Sequence, residues 1–512
     1  MFDELYGKKY QLHWASAVIA TLNIFKEILI PVLIIFAINI IREGGISGSN
    51  LLPLLVTLFI VFVLLIFTGL SSILSWVRFE YWFEEGEIRV EHGIFVRKKR
   101  YVPFGRIQSV DSTESVLHRL FGLVKIHIET AGGSGEGEVV LPAVSKSAAV
   151  AIEAVIEDGK RRARMKEAPE VIMTGLPFVS MLPILEVEER EEVESQPKVE
   201  TTFQMKTKEL LLLATTSGGI GVILSGVFLF LMQFSEFIPV ELIYGQVQTM
   251  LKTGIIVVAT IVAVVFFIAW ILSVAMTYIS YYAFTVQKDE ENIIITRGLL
   301  EKKKVTVPLT RVQGIEVIQN PFRQLIGYET VVLHSAGSVS GDGEKLNLFP
   351  LVRSKKREEL LTSLFPTMAF PNPEHRLPKH SRPYFRRVHY NWLLPLIAAL
   401  IYFFPPYGWL SVLLIPLHFA HSAWRHHSAS FQVVDKQVIL RHRGLLSLYT
   451  MYTTRRRVQS STIRQSIFQE RGNVGTLMLK IKSGSWQAEG RVPHMDIADA
   501  RHIFYQTTPE KK

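Results

Sequence analysis

The chain has 512 residues, of which 48% are hydrophobic and only 20% charged, with a mean hydropathy of +0.25; this is too apolar for the three or so soluble domains of ~150 residues that the length would allow, and far too apolar for disorder. The absence of cysteine excludes disulfide frameworks, thiolate nucleophiles, iron–sulfur clusters and cysteine zinc sites. Lys and Arg (56) outnumber Asp and Glu (46) to give +10, and a basic balance beside long apolar runs points to an anionic membrane surface, not to nucleic acid.

In chain order, residues 1–21 carry Asp3, Glu4, Lys8 and Lys9 and read as a cytoplasmic N-terminus. Leu22 to Ile41 and Leu51 to Trp76 each offer the ~20 apolar residues needed to cross ~30 Å of hydrocarbon, and form a first transmembrane hairpin over 22–76. No small-residue cleavage site follows the first run, so it reads as a retained anchor. A second hairpin over 207–280 contains Leu210 to Phe234 and Gly254 to Ile279. The third, over 389–426, is shorter, with Trp392 to Phe404 and Trp409 to Trp424 separated by Pro405-Pro406-Tyr407-Gly408. Lys26 and Glu27 lie near one end of the first span, and the other spans lack charges in their middles, which weighs against an ion or proton path. The loops within the pairs hold few basic residues, Arg42 in the first, Lys252 in the second and none in the third, whereas Arg78, Arg161, Arg162, Arg382, Arg386 and Arg425 lie beyond the spans on the other side. By the positive-inside rule the intervening segments and both termini are cytoplasmic. Residues 159–206 read as a charged linker with an acidic stretch, Glu186 to Glu194, and 366–388 as a shorter, Pro-rich one.

The three remaining segments, 77–158, 281–365 and 427–507, repeat one another. Each runs through alternating apolar residues to a turn glycine: Gly93, Gly298, Gly444. Thirteen residues later comes an Arg-hydrophobic-Gln triplet: Arg106-Ile107-Gln108, Arg311-Val312-Gln313, Arg457-Val458-Gln459. A second glycine follows the arginine by sixteen residues in two copies (Gly122, Gly327); the third copy, with Gly472 and Gly475, reads as shifted. Late in each copy stands a hydrophobic-Pro pair ending in Pro142, Pro350 or Pro493, then a helical pattern. Period-two alternation makes strands dominate, closed by one C-terminal helix.

This order of glycine, triplet, glycine and proline resembles the bacterial pleckstrin-homology (PH)-like domain family, and a helix pair before each of three such domains is similar to membrane proteins of the YdbT type. The resemblance implies an α+β multi-domain membrane protein: six transmembrane helices as three hairpins, each followed by a PH-like antiparallel β-sandwich or barrel with a C-terminal helix. It also implies that the turn glycines occupy φ > 0.

Two groups of residues are candidates for contacts. The triplet arginines fit a lipid phosphate or a partner carboxylate, but the constant spacing favours the plainer reading of a structural strand arginine. The basic clusters Arg97-Lys98-Lys99-Arg100, Lys302-Lys303-Lys304 and Arg455-Arg456 are candidate lipid or partner contacts, each cation near anionic headgroups contributing about 1 kcal/mol; a solvated positive-inside hairpin is an equally good reading. His418, His421, His426 and His427 form a histidine tract without the flanking carboxylate or HExxH order of a zinc hydrolase. No Walker loop, nucleophile elbow or dinucleotide fingerprint is present. The sequence therefore reads as a non-enzymatic scaffold of a bacterial inner membrane, without cofactor, metal or nucleic acid, whose domains bind protein more specifically than lipid. The resemblance implies a smaller PH-like membrane partner, with self-association as the other route, and a role in envelope defence against membrane-active antimicrobial peptides. The rival readings are a transporter or lipid-handling protein built on the spans, and a membrane enzyme using the histidine tract.

Overall fold

The computed structural model describes residues 6–42, 51–84, 86–130, 139–167, 200–217, 254–289, 291–336, 345–387, 390–404, 407–484 and 486–507. Expectations that fall on Asp3 and Glu4, on Glu186 to Glu194, on 218–234 of the third span, on Lys252 and on Pro405-Pro406 lie outside the described residues.

The first unit comprises β1 (Tyr10–Gln11), α1 (Ala15–Arg42), α2 (Leu51–Val77), β2 (Glu80–Glu84), β3 (Glu87–His92), β4 (Lys98–Pro103), β5 (Ile107–Glu114), α3 (Val116–Leu120), β6 (Leu123–Thr130), β7 (Val139–Ser145) and α4 (Lys146–Glu167). The second has β8 (Glu200–Gln204), α5 (Thr207–Thr216), α6 (Gly254–Tyr281), β9 (Thr285–Lys288), β10 (Asn292–Arg297), β11 (Lys302–Pro308), β12 (Val312–Gln319), α7 (Pro321–Ile326), β13 (Tyr328–Ser335), β14 (Leu346–Arg353) and α8 (Ser354–Leu364). The third has β15 (His375–Arg376), α9 (Arg382–Arg387), α10 (Tyr390–Phe403), α11 (Leu414–Ser428), β16 (Ser430–Val434), β17 (Gln437–Arg443), β18 (Leu448–Thr454), β19 (Val458–Arg464), α12 (Ile467–Glu470), β20 (Val474–Ser483), β21 (Trp486–Asp496) and α13 (Ile497–Thr507). The strand–helix order after each helix pair is the same three times.

Among the described helices, Leu55–Val77 and Ala263–Tyr281 are long and apolar enough to cross a membrane. α10 has 14 residues, about 21 Å at 1.5 Å per residue, short of a ~30 Å hydrocarbon core. The segments expected as linkers carry structure: β8 lies in one, β15 and α9 in the other, and α4 continues past residue 158. β1, β8 and β15 each pair antiparallel with the first strand after the helices, β2, β9 and β16, so the chain is tied to its sheet on both sides of every helix pair.

In each unit two sheets enclose one core. The inward positions of β3, β5 and β6 alternate as period two demands, with Ile88, Ile107, Ile126 and Ile128 buried together with Phe83, Phe104 and Leu141. Ile152, Val155 and Ile156, at helical spacing on α4, close the open side. Each such side chain contributes roughly 1.5–3 kcal/mol on burial. Gly159 of α4 lies so close to the Phe104 ring that a Cβ would collide with it.

The sheets do not stop at domain boundaries. The orders are β1-β2-β3-β4, β7-β6-β5-β11-β10-β9-β8, β14-β13-β12-β18-β17-β16-β15 and β19-β20-β21. The second sheet of each unit thus continues into the first sheet of the next, and Ile439 and Tyr452 of the third unit are buried in the core of the second.

Candidate functional site

Antiparallel strand geometry assigns each turn to one end of a unit. β2 starts three residues after α2, so β3 returns to the helix exit, β4 leaves it and β5 returns again. The β3–β4 tip and α3 lie at the helix-proximal end, and the turn between β4 and β5 at the distal end. Contacts agree with this: Arg78 donates to the Ile94 carbonyl, the Leu299 amide donates to Ile279 at the end of α6, and His421 of α11 reaches the Leu445 carbonyl.

The repeated residues build these turns. Gly93 and Gly298 have φ of 121° and 107°, and a Cβ at either would strike the carbonyl three residues on, Val96 or Glu301. Gly444 also closes a turn, its amide donating to Ser447 at 2.9 Å, but without positive φ; the expectation of a left-handed glycine holds for two copies and not for the third. The expected shift of the second glycine is likewise corrected. Sixteen residues after Arg457 stands Asn473, with φ 51° where Gly122 and Gly327 have 65° and 69°; asparagine tolerates that conformation better than most side chains.

Arg106, Arg311 and Arg457 are not strand residues. Each ends a short 3₁₀ turn at the distal end, and the following hydrophobic residue begins the strand. The register slips at each glutamine: between Ile107 and Ser109, Val312 and Gly314, and Val458 and Ser460. Gln108, Gln313 and Gln459 are therefore bulge residues. Pro142, Pro350 and Pro493 stand opposite slips in the last strands, where a missing amide costs least. The Arg457 guanidinium donates to the Thr310 carbonyl of the preceding unit at 2.6 Å. Arg311 is lowered from its usual value by burial, while Glu129 of the first unit favours its charge. Arg106, in the first unit, is exposed.

The two junctions between units use one register. Lys302 pairs with Glu114 and Lys304 with Ser112; Leu448 pairs with Gln319 and Thr450 with Val317. These are equivalent positions, four and six residues past the turn glycine against eight and six past the triplet arginine. Lys304 reaches Glu153 of α4 at 2.8 Å, and the Thr306 amide donates to the Asp111 carboxylate at 2.9 Å. Of the cluster Lys302-Lys303-Lys304, then, at least Lys304 is held within the chain. Asp111, Glu114 and Glu153 were missed by reading motifs; the signal was an acid five residues after the triplet arginine in two copies, Asp111 and Glu316, against Thr462 in the third.

At both ends of the array, strands equivalent to the paired ones have no strand beyond them among the described residues: β4 and β19. β12 is largely buried and β5 has no exposed residue, whereas β19 exposes Gln459, Ser460, Thr462 and Arg464. On β4, Lys98, Lys99, Tyr101 and Pro103 are exposed. Arg97 and Lys99 clasp Glu91 at 2.6 and 3.0 Å; the Lys99 hydrogen bond and then the Arg97 charge hold that carboxyl below its usual value against its burial. Arg455 donates to Gln506 at 2.7 Å, and Arg456 is exposed. Both lie at the distal end, a seven-residue strand or about 23 Å from the hairpin tip, which suits a partner contact better than a lipid one.

His418 and His426 of the histidine tract, like His421, are engaged with main chain: His418 with the Arg386 carbonyl at 3.0 Å and His426 with Pro378 at 3.2 Å. No three His, Asp or Glu side chains converge among the described residues. A polar cavity of about 570 Å³ between the second and third units is lined by Gln319, Glu329, Arg357, Asn372 and Arg441. Asn372 accepts from Arg441 at 2.7 Å and Gln319 donates to Glu329 at 2.9 Å, while Arg357 Nε and Glu329 Oε1 face each other as an ion pair at 3.5 Å without a hydrogen bond. Burial pushes the Glu329 carboxyl up against the pull of Arg357.

A triply repeated sandwich with a C-terminal helix, built on bulges at fixed glutamines, defines a class, and the chain belongs to the bacterial PH domain family, whose pattern matches residues 31–160, 239–364 and 392–511. Over 493 residues, 95% of this chain and 94% of the relative, it is 33% identical to the UPF0699 transmembrane protein YdbT of Bacillus subtilis (strain 168). No solved structure matches.

Proposed function

We propose that the chain is a non-enzymatic, multi-pass scaffold of a bacterial inner membrane, with six spans in three pairs, both termini and all three PH-like domains cytoplasmic, and terminal strand edges that receive a PH-like domain of a partner. The supporting observation is the junction itself: two units join by one strand register, and the same edge recurs on β4 and β19 with no strand beyond it among the described residues. Strand addition takes most of its affinity from main-chain hydrogen bonds and so makes few demands on sequence. A second copy joined head to tail in that register would set Lys98 against Arg464, like charges directly opposite. β4 repeats the basic chemistry of β11, which in the chain meets Glu114 and Glu153. The partner that fits is a separate PH-like domain with an acidic strand, in keeping with the smaller PH-like membrane protein that the resemblance implies; a role in defence against membrane-active peptides rests on that resemblance alone.

The cysteine-free chain permits a direct test. Tyr101→Cys on β4 should cross-link to a co-expressed single-domain PH-like membrane protein of the same organism, and Thr306→Cys, already covered, should not. Cross-linking from neither position, with the partner absent from detergent-purified material, would overturn the reading. A lipid-handling role has one observation in its favour, a cavity of about 290 Å³ between α1 and α2 lined by Ser16, Ser71, Ser72 and Ser75. Lipid transfer between vesicles would support it.

A further inference from the structure

Each unit exposes large apolar side chains at the same two places. At the hairpin tips these are Phe95 and Val96, Leu299 and Leu300, and Leu445 and Leu446, with Phe95 94% and Leu445 79% exposed. On the short helices they are Val116 and Leu120 of α3, Phe322 and Leu325 of α7, and Ile467 and Phe468 of α12, with Leu325 86% exposed. A soluble surface rarely repeats large exposed apolar groups in this way, and the strands provide no core for them to fill.

Both places lie at the helix-proximal end. The strand meander returns there twice per unit, and hydrogen bonds join the returns across units. Arg119 of α3 donates to the Leu299 carbonyl of the next tip at 2.7 Å. Arg443 donates to Leu446 at 2.7 Å and to Gln324 of α7 at 3.1 Å. Asn320 and Arg323, at the start of α7, bind Thr216 at the end of α5, and Phe121 beside α3 meets Trp14 at the start of α1, edge to face at 5.7 Å. The apolar groups thus form one row level with the helix exits, and cations border it: Arg97, Lys98, Lys302 and Arg464 are exposed.

We infer that this row is a lipid-contacting keel, through which all three domains lie against the anionic leaflet that the helices enter, each hairpin tip and short helix seated among the headgroups and upper acyl chains. The inference rests on the reading that the helices cross a membrane. The occupant is lipid because the row continues the apolar surface of α2 and α6 and its border is basic, as an anionic leaflet requires. The domains are then fixed in orientation as well as tethered, which leaves the β4 and β19 edges facing along the membrane plane toward a partner held in the same bilayer.

The chain has no cysteine, so single substitutions can carry an environment-sensitive fluorophore such as NBD in the full chain, reconstituted in nanodiscs of phosphatidylglycerol and phosphatidylethanolamine. Phe95→Cys, Leu325→Cys and Phe468→Cys test the row. Trp486→Cys is the aqueous control: Trp486 is 75% exposed at the far end of the β20–β21 hairpin, about 30 Å from α12. Phe62→Cys within α2 is the span control. Emission at the three row sites should be blue-shifted and quenched by shallow-doxyl lipids at least threefold more than at Trp486→Cys. Row sites quenched like Trp486→Cys, while Phe62→Cys is lipid-quenched, would overturn the keel and leave the spans standing. A blue shift without lipid quenching would mean protein covers the row and would also overturn it. Aqueous behaviour at Phe62→Cys as well would overturn the spanning reading with it.

Discussion

Gly298 and Gly444 hold the same place in the repeat under different constraints, because of the two only Gly298 has positive φ and only there does a Cβ collide with a backbone carbonyl. Gly298→Ala should therefore cost about 1–3 kcal/mol, and Gly444→Ala, whose Cβ would press on the Tyr449 ring at 3.1 Å and meet the Ser447 carbonyl at an ordinary 3.8 Å, less than about 1 kcal/mol. Thermal unfolding of the two variants in one detergent checks this; equal losses would contradict it. Two histidines of the third unit give a pH signature. Burial, then the nearby Arg491 charge for His442 and Arg425 for His494, depresses both to about 4. The unfolded chain protonates these imidazoles near 6.5, so it binds more protons than the folded chain between there and 4, and their contribution to stability is full above pH 6.5 and lost as pH falls toward 4. Thermal melts across that interval should show the loss, and His442→Gln with His494→Gln should flatten it.

At the scale of elements, the strand meander and the junction are separate achievements. Within a unit, period-two alternation selects which faces are buried, and a one-residue slip would turn them out; the bulges at Gln108, Gln313 and Gln459 fix where the slip is allowed. Between units, the β5–β11 pairing spans only three residue pairs, Lys302 to Lys304 against Glu114 to Ser112, and is continued by the Asp111 carboxylate on the Thr306 amide. Asp111→Ala leaves that amide without its acceptor, at a cost of about 1–3 kcal/mol. Hydrogen exchange at Thr306 and its β11 neighbours should rise roughly 5- to 150-fold, while the β12–β18 junction, with six pairs from Gly314 to Gln319, should be unaffected. No change at Thr306 would show that the carboxylate does not hold the junction.

For the whole molecule, helix pairs and domains alternate, and every domain is anchored by strands before and after its helices. The proposed topology places Ser145 and the C-terminus on the cytoplasmic side. A cysteine at Ser145 should react with a membrane-impermeant maleimide only after cells are opened, and reactivity in intact cells would overturn the orientation. Anchoring at three places also predicts that deletion of residues 390–428 removes the third unit's attachment without releasing the chain from the membrane, since α2 and α6 remain; fractionation reads the outcome.

What the sequence by itself determined is whatever recurs at fixed spacing along one chain. The three units, the glycines, the triplets and the prolines were legible because a turn, a bulge or an edge strand constrains the residue that occupies it. The apolar runs were legible because hydrocarbon constrains length and composition. Tertiary structure decided what depends on meetings between distant residues. It made Arg457 a contact to Thr310 of the previous unit, and it held Lys304 with Glu153. It also showed that Asn473 stands where two copies have glycine and that segments read as linkers supply β8 and β15. Strand edges carry no residue code for their partners, since backbone groups do the pairing, so only the tertiary structure decided which edges are shared inside the chain and which have no strand beyond them among the described residues.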